Sequence, residues 1–195
     1  GSTGTATFTI NAVAPTITVS DKTATYSGSA ISIDAAKVTG VTGGTTPSGG
    51  VTYTYYTDSN CTTKTSTSDG SGATAAGGAP KNVGTYYVKA TIAAAGNYTT
   101  ATSAKATLTI SAKVSGSLTV TLGTTSYSYD GKAKTPTVTV KDGTTTLVAG
   151  TDYTVTHDTS ANVGTRTVTI TGKGNYAGST GTATFTINAV APTIT

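Results

Sequence analysis

The 195-residue chain contains no glutamate, glutamine, methionine or tryptophan, and it has a single cysteine and a single histidine. Each absence removes a kind of chemistry. One cysteine, Cys61, cannot close a disulfide within the chain, so its thiol is either an inert small side chain or a candidate for intermolecular pairing. Zinc and calcium sites draw several His, Cys or carboxylate ligands at set spacing. The nearest approach to such a set, Asp58, Asn60 and Asp69, is better explained as turn chemistry. No metal and no cofactor is therefore expected. Charged residues make up 10% of the chain, and its 12 basic and 8 acidic residues are scattered singly for a formal net charge of +4. Nucleic-acid backbones are bound by concentrated basic patches with stacking aromatics, so no nucleic acid is expected as a partner. No apolar run reaches the length of a membrane-spanning helix, and no leader or anchor motif is read. Membrane insertion of this segment is not expected, although an internal piece of a longer chain would lack those motifs in any case.

Threonine, by contrast, is abundant at 51 residues, with 24 glycines beside it. A β-branched side chain is restricted at χ1 against a preceding helical turn and suits a pleated surface, which predicts an all-β chain with essentially no helix. Thr alternates with apolar residues at period 2, so one sheet face carries threonines and the other carries the core. The predicted buried sets are Ala6, Phe8 and Ile10; Ile17 and Val19; Ile31 and Ile33; Val51, Tyr53 and Tyr55; Tyr86, Val88, Ala90 and Ile92; and Ala106, Leu108 and Ile110. In the second half they are Leu118, Val120 and Leu122; Pro136, Val138 and Val140; Tyr153 and Val155; Val168 and Ile170; and Ala183, Phe185 and Ile187. Short alternating strands separated by Gly, Asp and Asn turns point to antiparallel β-sandwiches. With 35% hydrophobic residues, each core should be thin.

Residues 1–18 recur letter for letter as residues 178–195, so that one full period carries Gly1 onto Gly178. Chance does not produce such a match; it marks a tandem array, of which this chain is about one period plus an overlap. A weaker repeat lies inside the period. Asn82-Val83-Gly84-Thr85 aligns with Asn162-Val163-Gly164-Thr165, Gly96-Asn97-Tyr98 with Gly174-Asn175-Tyr176, and Tyr26-Ser27-Gly28 with Tyr129-Asp130-Gly131. Two homologous modules follow. Residues 1–12 read as the last strand and linker of a preceding copy, 13–111 as module 1, 112–188 as module 2, and 189–195 as a linker and the start of the next module 1. From the Tyr-x-Gly turn to the Asn-Val-Gly-Thr turn, module 1 runs from Tyr26 to Asn82, a much longer path than module 2 takes from Tyr129 to Asn162. The surplus includes a Ser/Thr/Gly/Ala-rich surface excursion at 57–80, which holds Cys61. The linkers are short and carry a proline, which predicts a fairly stiff, extended arrangement.

The strings Tyr129-Asp130-Gly131-Lys132, Ala149-Gly150-Thr151-Asp152-Tyr153, Asn162-Val163-Gly164-Thr165 and Gly172-Lys173-Gly174-Asn175-Tyr176 resemble the bacterial immunoglobulin-like surface repeats named for their Tyr-Asp-Gly motif. Module 1 resembles a sister type of the same group through Tyr53-Thr54-Tyr55-Tyr56, Gly84-Thr85-Tyr86-Tyr87 and Gly96-Asn97-Tyr98. The resemblance covers nearly the whole chain. It implies an Ig-like fold in a bacterial cell-surface or secreted protein, where such repeats act as stalk or adhesive segments. It supplies no catalytic or ligand residues.

Candidate chemistry is sparse. His157-Asp158 is the one adjacent His/Asp pair, and neighbours on a strand point to opposite faces instead of converging on a nucleophile. No catalytic residue is expected. An intramolecular Lys–Asn or Lys–Asp isopeptide would need one of the eight Asp as its acid, and the sequence gives no sign of a paired buried triad. The sequence therefore predicts a structural repeat of an extracellular stalk or fibre, with neighbouring copies as its partners. One alternative is a binding module that recognises carbohydrate or a host surface protein through 57–80, with Tyr56 and Tyr87 exposed. Another is a filament subunit joined by strand donation through 5–10, in which Thr5, Thr7, Phe8 and Ile10 form the donated strand.

Overall fold

The computed structural model describes residues 1, 3–66 and 77–192. It is nearly all β, and the one helical element among the described residues is a 3-10 turn at Gly174–Tyr176. The chain divides into two compact units, Gly1–Ile110 and Ser111–Thr195.

Unit 1 contains β1 (Thr16–Thr18), β2 (Lys22–Thr25), β3 (Lys37–Thr39), β4 (Val51–Tyr56), β5 (Gly84–Ile92), β6 (Ala101–Thr102) and β7 (Ala106–Ser111). One sheet runs β2-β7-β5-β4, with β6 pairing to β5, and β1 pairs with β3 in a second, smaller sheet. Alternation decides which face is buried. Along β5 the inward residues Val88, Ala90 and Ile92 are 0–1% exposed, while Ile17 and Val38 from the small sheet close over Ala90 and Ile92. Burying one such aliphatic side chain contributes roughly 1.5–3 kcal/mol.

Residues 31 and 33, predicted as a strand, form no ladder, although Ile33 is buried at 7% exposure. Tyrosine hydroxyls take the place of the ladder. The Ile33 N–H donates to the Tyr55 hydroxyl at 2.9 Å and the Ala36 N–H to the Tyr53 hydroxyl at 2.7 Å. Tyr98 accepts from the Val41 N–H at 3.2 Å and donates to the Thr45 carbonyl at 2.6 Å. Buried amides must find partners, and here two tyrosines of β4 and one from the turn before β6 supply them.

Unit 2 contains β8 (Thr119–Leu122), β9 (Ser126–Ser128), β10 (Val138–Asp142), β11 (Thr145–Thr146), β12 (Tyr153–His157), β13 (Gly164–Gly172) and β14 (Thr180–Asn188). Its sheets are β12-β13-β14-β9 and β11-β10-β8. Val168, Ile170, Phe185 and Ile187 from the first and Val140 from the second are at most 1% exposed. Pairing is antiparallel except between β14 and β9, which run parallel. The Asp142-Gly143 turn closes the β10–β11 hairpin, with Gly143 at φ +58°. The Gly-Asn-Tyr landmarks are also alike, since Gly96 and Gly174 sit at φ +55° and +56°, a conformation that favours glycine.

Different side chains do the same work in the two units. The Tyr86 hydroxyl donates to the Asn82 carbonyl at 3.0 Å, and the Arg166 guanidinium to the Asn162 carbonyl at 2.6 Å. Register matches Tyr55, opposite Val88, with His157, opposite Val168; the His157 ring Nε2 lies 3.2 Å from the Pro136 carbonyl.

Candidate functional site

The duplicated segment is used in complementary halves. In the copy at 178–195, residues 180–188 form β14, with Phe185 and Ile187 at most 1% exposed. In the copy at 1–18, residues 16–18 form β1, with Ile17 5% exposed in the core of unit 1. Val13 joins that unit through its N–H to the Asn97 carbonyl at 3.0 Å and its carbonyl to the Thr99 N–H at 2.9 Å. Neither of the other two halves forms a strand among the described residues. Residues 3–12 form no strand, with Phe8 86% and Ile10 85% exposed, and 193–195 lie outside the described residues. The prediction that Ala6, Phe8 and Ile10 are buried is thus overturned in this chain: its one sheet of matching sequence is paired with β14, and among the described residues no other sheet covers them. Thr5 and Thr7 are exposed as well.

The slot that β14 fills is specific. Pairing with β13 runs from Gly164 opposite Ile187 to Thr171 opposite Thr180. On its other side the Thr186 N–H donates to the Thr125 carbonyl at 2.9 Å, and the Tyr129 N–H to the Asn188 carbonyl at 2.9 Å. The Phe185 ring meets Tyr127 edge-on, with centroids 5.6 Å apart and planes at 79°. A Cβ on Gly181 would lie 2.8 Å from Val120 Cγ2 and 3.0 Å from the Leu118 carbonyl, so glycine is required where β14 crosses β8.

The excursion at 57–80 begins with a tight turn. The Asp58 carboxylate accepts the Thr63 N–H at 2.5 Å and the Thr62 N–H at 3.1 Å, and the Thr62 hydroxyl at 2.9 Å. These bonds, the Thr63 amide foremost, bring its pKa down to about 2. Cys61 is half-buried in that turn at φ +57°. The excursion then returns along the edge of β4: the Thr65 N–H donates to the Tyr55 carbonyl at 2.9 Å and the Tyr55 N–H to the Gly77 carbonyl at 3.0 Å. Asp69 lies outside the described residues. Beside the turn is a cavity of about 140 Å³ lined by Thr57, Thr65, Ser66, Pro80, Lys81, Asn82 and Tyr86. Tyr56 and Tyr87, predicted to be exposed, are half-buried; the two lie directly opposite one another in the β4–β5 ladder, and the Lys105 ammonium sits 5.2 Å from the centre of the Tyr87 ring.

Elsewhere the candidate groups are committed to separate bonds. Asp158 accepts the Ser160 N–H at 2.8 Å, on bonds distinct from the His157 ring contact. Lys113 pairs with Asp142, which also accepts the Ser115 hydroxyl at 2.6 Å. Lys113 and then Ser115 lower the Asp142 pKa. That favours the ionised acid, whereas an amide bond would form from the neutral one. No group of three or more His, Cys or Asp among the described residues is placed to hold a metal, and no described helix is long and apolar enough to cross a membrane. No protein-family model matches the chain, and no curated protein matches it.

Proposed function

We propose that the chain is a structural repeat unit: one period of a tandem array of two alternating Ig-like modules in a bacterial cell-surface or extracellular stalk or fibre, without catalysis. The divided use of the duplicated segment carries this reading. Its first half ends unit 2 as β14, and its second half begins unit 1 through Val13 and Ile17. The segment is therefore a joint running from unit 2 into unit 1. A joint of that polarity, present twice and one period apart, is what an alternating array requires. Thr-covered outer faces with few charges suit reach and spacing, and the surface location rests on the resemblance to Tyr-Asp-Gly repeats. Partial digestion of the protein from its native source should give a ladder with steps of one period, and labelling of intact cells should modify its lysines. A single species with no ladder, or labelling only after lysis, would sink the reading.

A second reading, recognition of carbohydrate or a host protein through 57–80, draws support from the cavity at the base of the excursion, where Tyr86 offers an aromatic wall among polar groups. A glycan array probed with the chain and with Tyr86→Ala tests it: a signal lost in the variant supports binding, and the absence of any signal removes it.

A further inference from the structure

The outer edge of β12 in unit 2 is bare at a position where the matching edge of unit 1 is covered. We propose that two copies of the chain join along this edge, β12 against β12, antiparallel about a two-fold axis at Thr156. β12 ends the strand order β12-β13-β14-β9. Its even-numbered residues bond inward to β13, a pattern that continues past the strand where the Asp158 N–H donates to the Thr167 carbonyl at 3.0 Å. Odd-numbered residues therefore turn their backbone groups outward. The Tyr153 carbonyl accepts the Gly150 N–H at 2.8 Å, and among the described residues nothing reaches the N–H and carbonyl groups of Val155 and His157.

Unit 1 shows what such an edge accepts. Tyr55 stands opposite Val88 as His157 stands opposite Val168. Its N–H donates to the Gly77 carbonyl at 3.0 Å, its carbonyl accepts the Thr65 N–H at 2.9 Å, and Tyr56 bridges antiparallel to Lys64. Unit 2 passes from β12 to β13 through residues 158–163, against 57–83 between β4 and β5, so it has no excursion to lay along the edge. A second β12 matches the bare groups. Centred on Thr156, antiparallel pairing sets Val155 of one copy opposite His157 of the other, so that the two exchange both backbone bonds and no outward group of either is left over. A register centred on Val155 would instead call on Tyr153, whose carbonyl is already bonded. On the exposed face Thr156 meets its own copy, extending the row Thr182, Thr169 and Thr156 that cross-strand pairing already forms. β12 also lacks the lysine, proline or bulge that keeps natural edges apart. The contact is isologous and closes as a pair. The pairing needs only unit 2, but in the proposed array the edge recurs once per period, so contacts that are weak singly would align two fibres side by side.

Because Thr156 is exposed and faces itself across the axis, a charge swap in the full chain tests the register. Sedimentation of the unaltered chain should show a mass that rises from the monomer toward twofold as concentration approaches millimolar. The Val155 and His157 amides should exchange at least tenfold more slowly in the concentrated sample than in the dilute one. Thr156→Lys and Thr156→Glu each set like charges against one another and should stay monomeric, whereas an equimolar mixture of the two should regain the twofold mass. An unaltered chain that stays monomeric at millimolar concentration overturns the proposal. So does association that leaves the two amides unprotected, that persists in either variant alone, or that the mixture fails to restore. None of these outcomes touches the digestion ladder, so the pairing and the array reading fail separately.

Discussion

Glycine at two positions of one sequence offers a controlled comparison. Gly181→Ala drives a methyl group against Val120 and the Leu118 backbone, and overpacking of this kind costs about 1–3 kcal/mol. Gly4→Ala, in identical sequence but open space, should leave the denaturation midpoint unchanged. At the excursion turn, Asp58 has its folded pKa lowered from 3.8 to about 2. The stabilisation of the turn is then complete above the unfolded value and is lost as pH falls from about 4 through about 2. Side-chain NMR should report an Asp58 midpoint near 2, together with loss of the Thr62 and Thr63 amide shifts; a midpoint near 4 would contradict the turn geometry. Cys61 holds φ +57°, which costs a residue with a Cβ about 1 kcal/mol. Cys61→Gly should therefore raise stability by up to that amount in chemical denaturation. The turn role of Asp58 was legible from its Ser/Asn/Thr surroundings, whereas the strain at Cys61 was not, because nothing in the sequence at 61 asks for a left-handed residue.

Strands were the most legible elements, because Thr/apolar alternation both selects the β conformation and assigns the buried face. The exceptions have physical causes. Residues 31–33 alternate like a strand but are satisfied by tyrosine hydroxyls, and alternation reports burial, not the identity of the hydrogen-bond partner. The parallel β9–β14 pairing was invisible for a related reason: which strands become neighbours is set by how the sheet closes. The two units also treat one equivalent edge differently. Odd-numbered residues of β4 and β12 turn their backbone groups away from β5 and β13. In unit 1 Tyr55 is met by Gly77 and Thr65, whereas among the described residues no such partner reaches Val155 or His157. Bare edges exchange and self-associate more readily. The Tyr55 amide should exchange with solvent at least tenfold more slowly than the His157 amide, and equal rates would mean that the excursion does not protect its edge.

For the molecule as a whole, each unit has its own apolar core, and one substitution in each should register locally. Leu108 in β7 and Ile170 in β13 are both 0% exposed, and truncation of such a residue to alanine costs about 2–5 kcal/mol. Leu108→Ala should speed exchange at Gly84–Ile92, and Ile170→Ala should speed it at Gly164–Gly172. A loss at either site no larger than that of an ordinary surface substitution would show that the cavity collapses. The chain has two compact units, and the turn landmarks recur in the same order in both, since turn residues are chosen by local backbone geometry. Tyr86 and Arg166 serve the matching carbonyl position with different chemistry.

Composition and alternation are enough to make this protein all β and to mark which residues can face a core, and the amino-acid order shows one segment written twice. Those are properties of local sterics and periodicity, and they hold wherever the segment sits. What each copy pairs with depends on the folded surroundings. Phe8 and Phe185 have the same neighbours in sequence, yet one is 86% exposed and the other 1%, because a strand becomes a strand only where adjacent strands accept its backbone and an opposing sheet covers its apolar face.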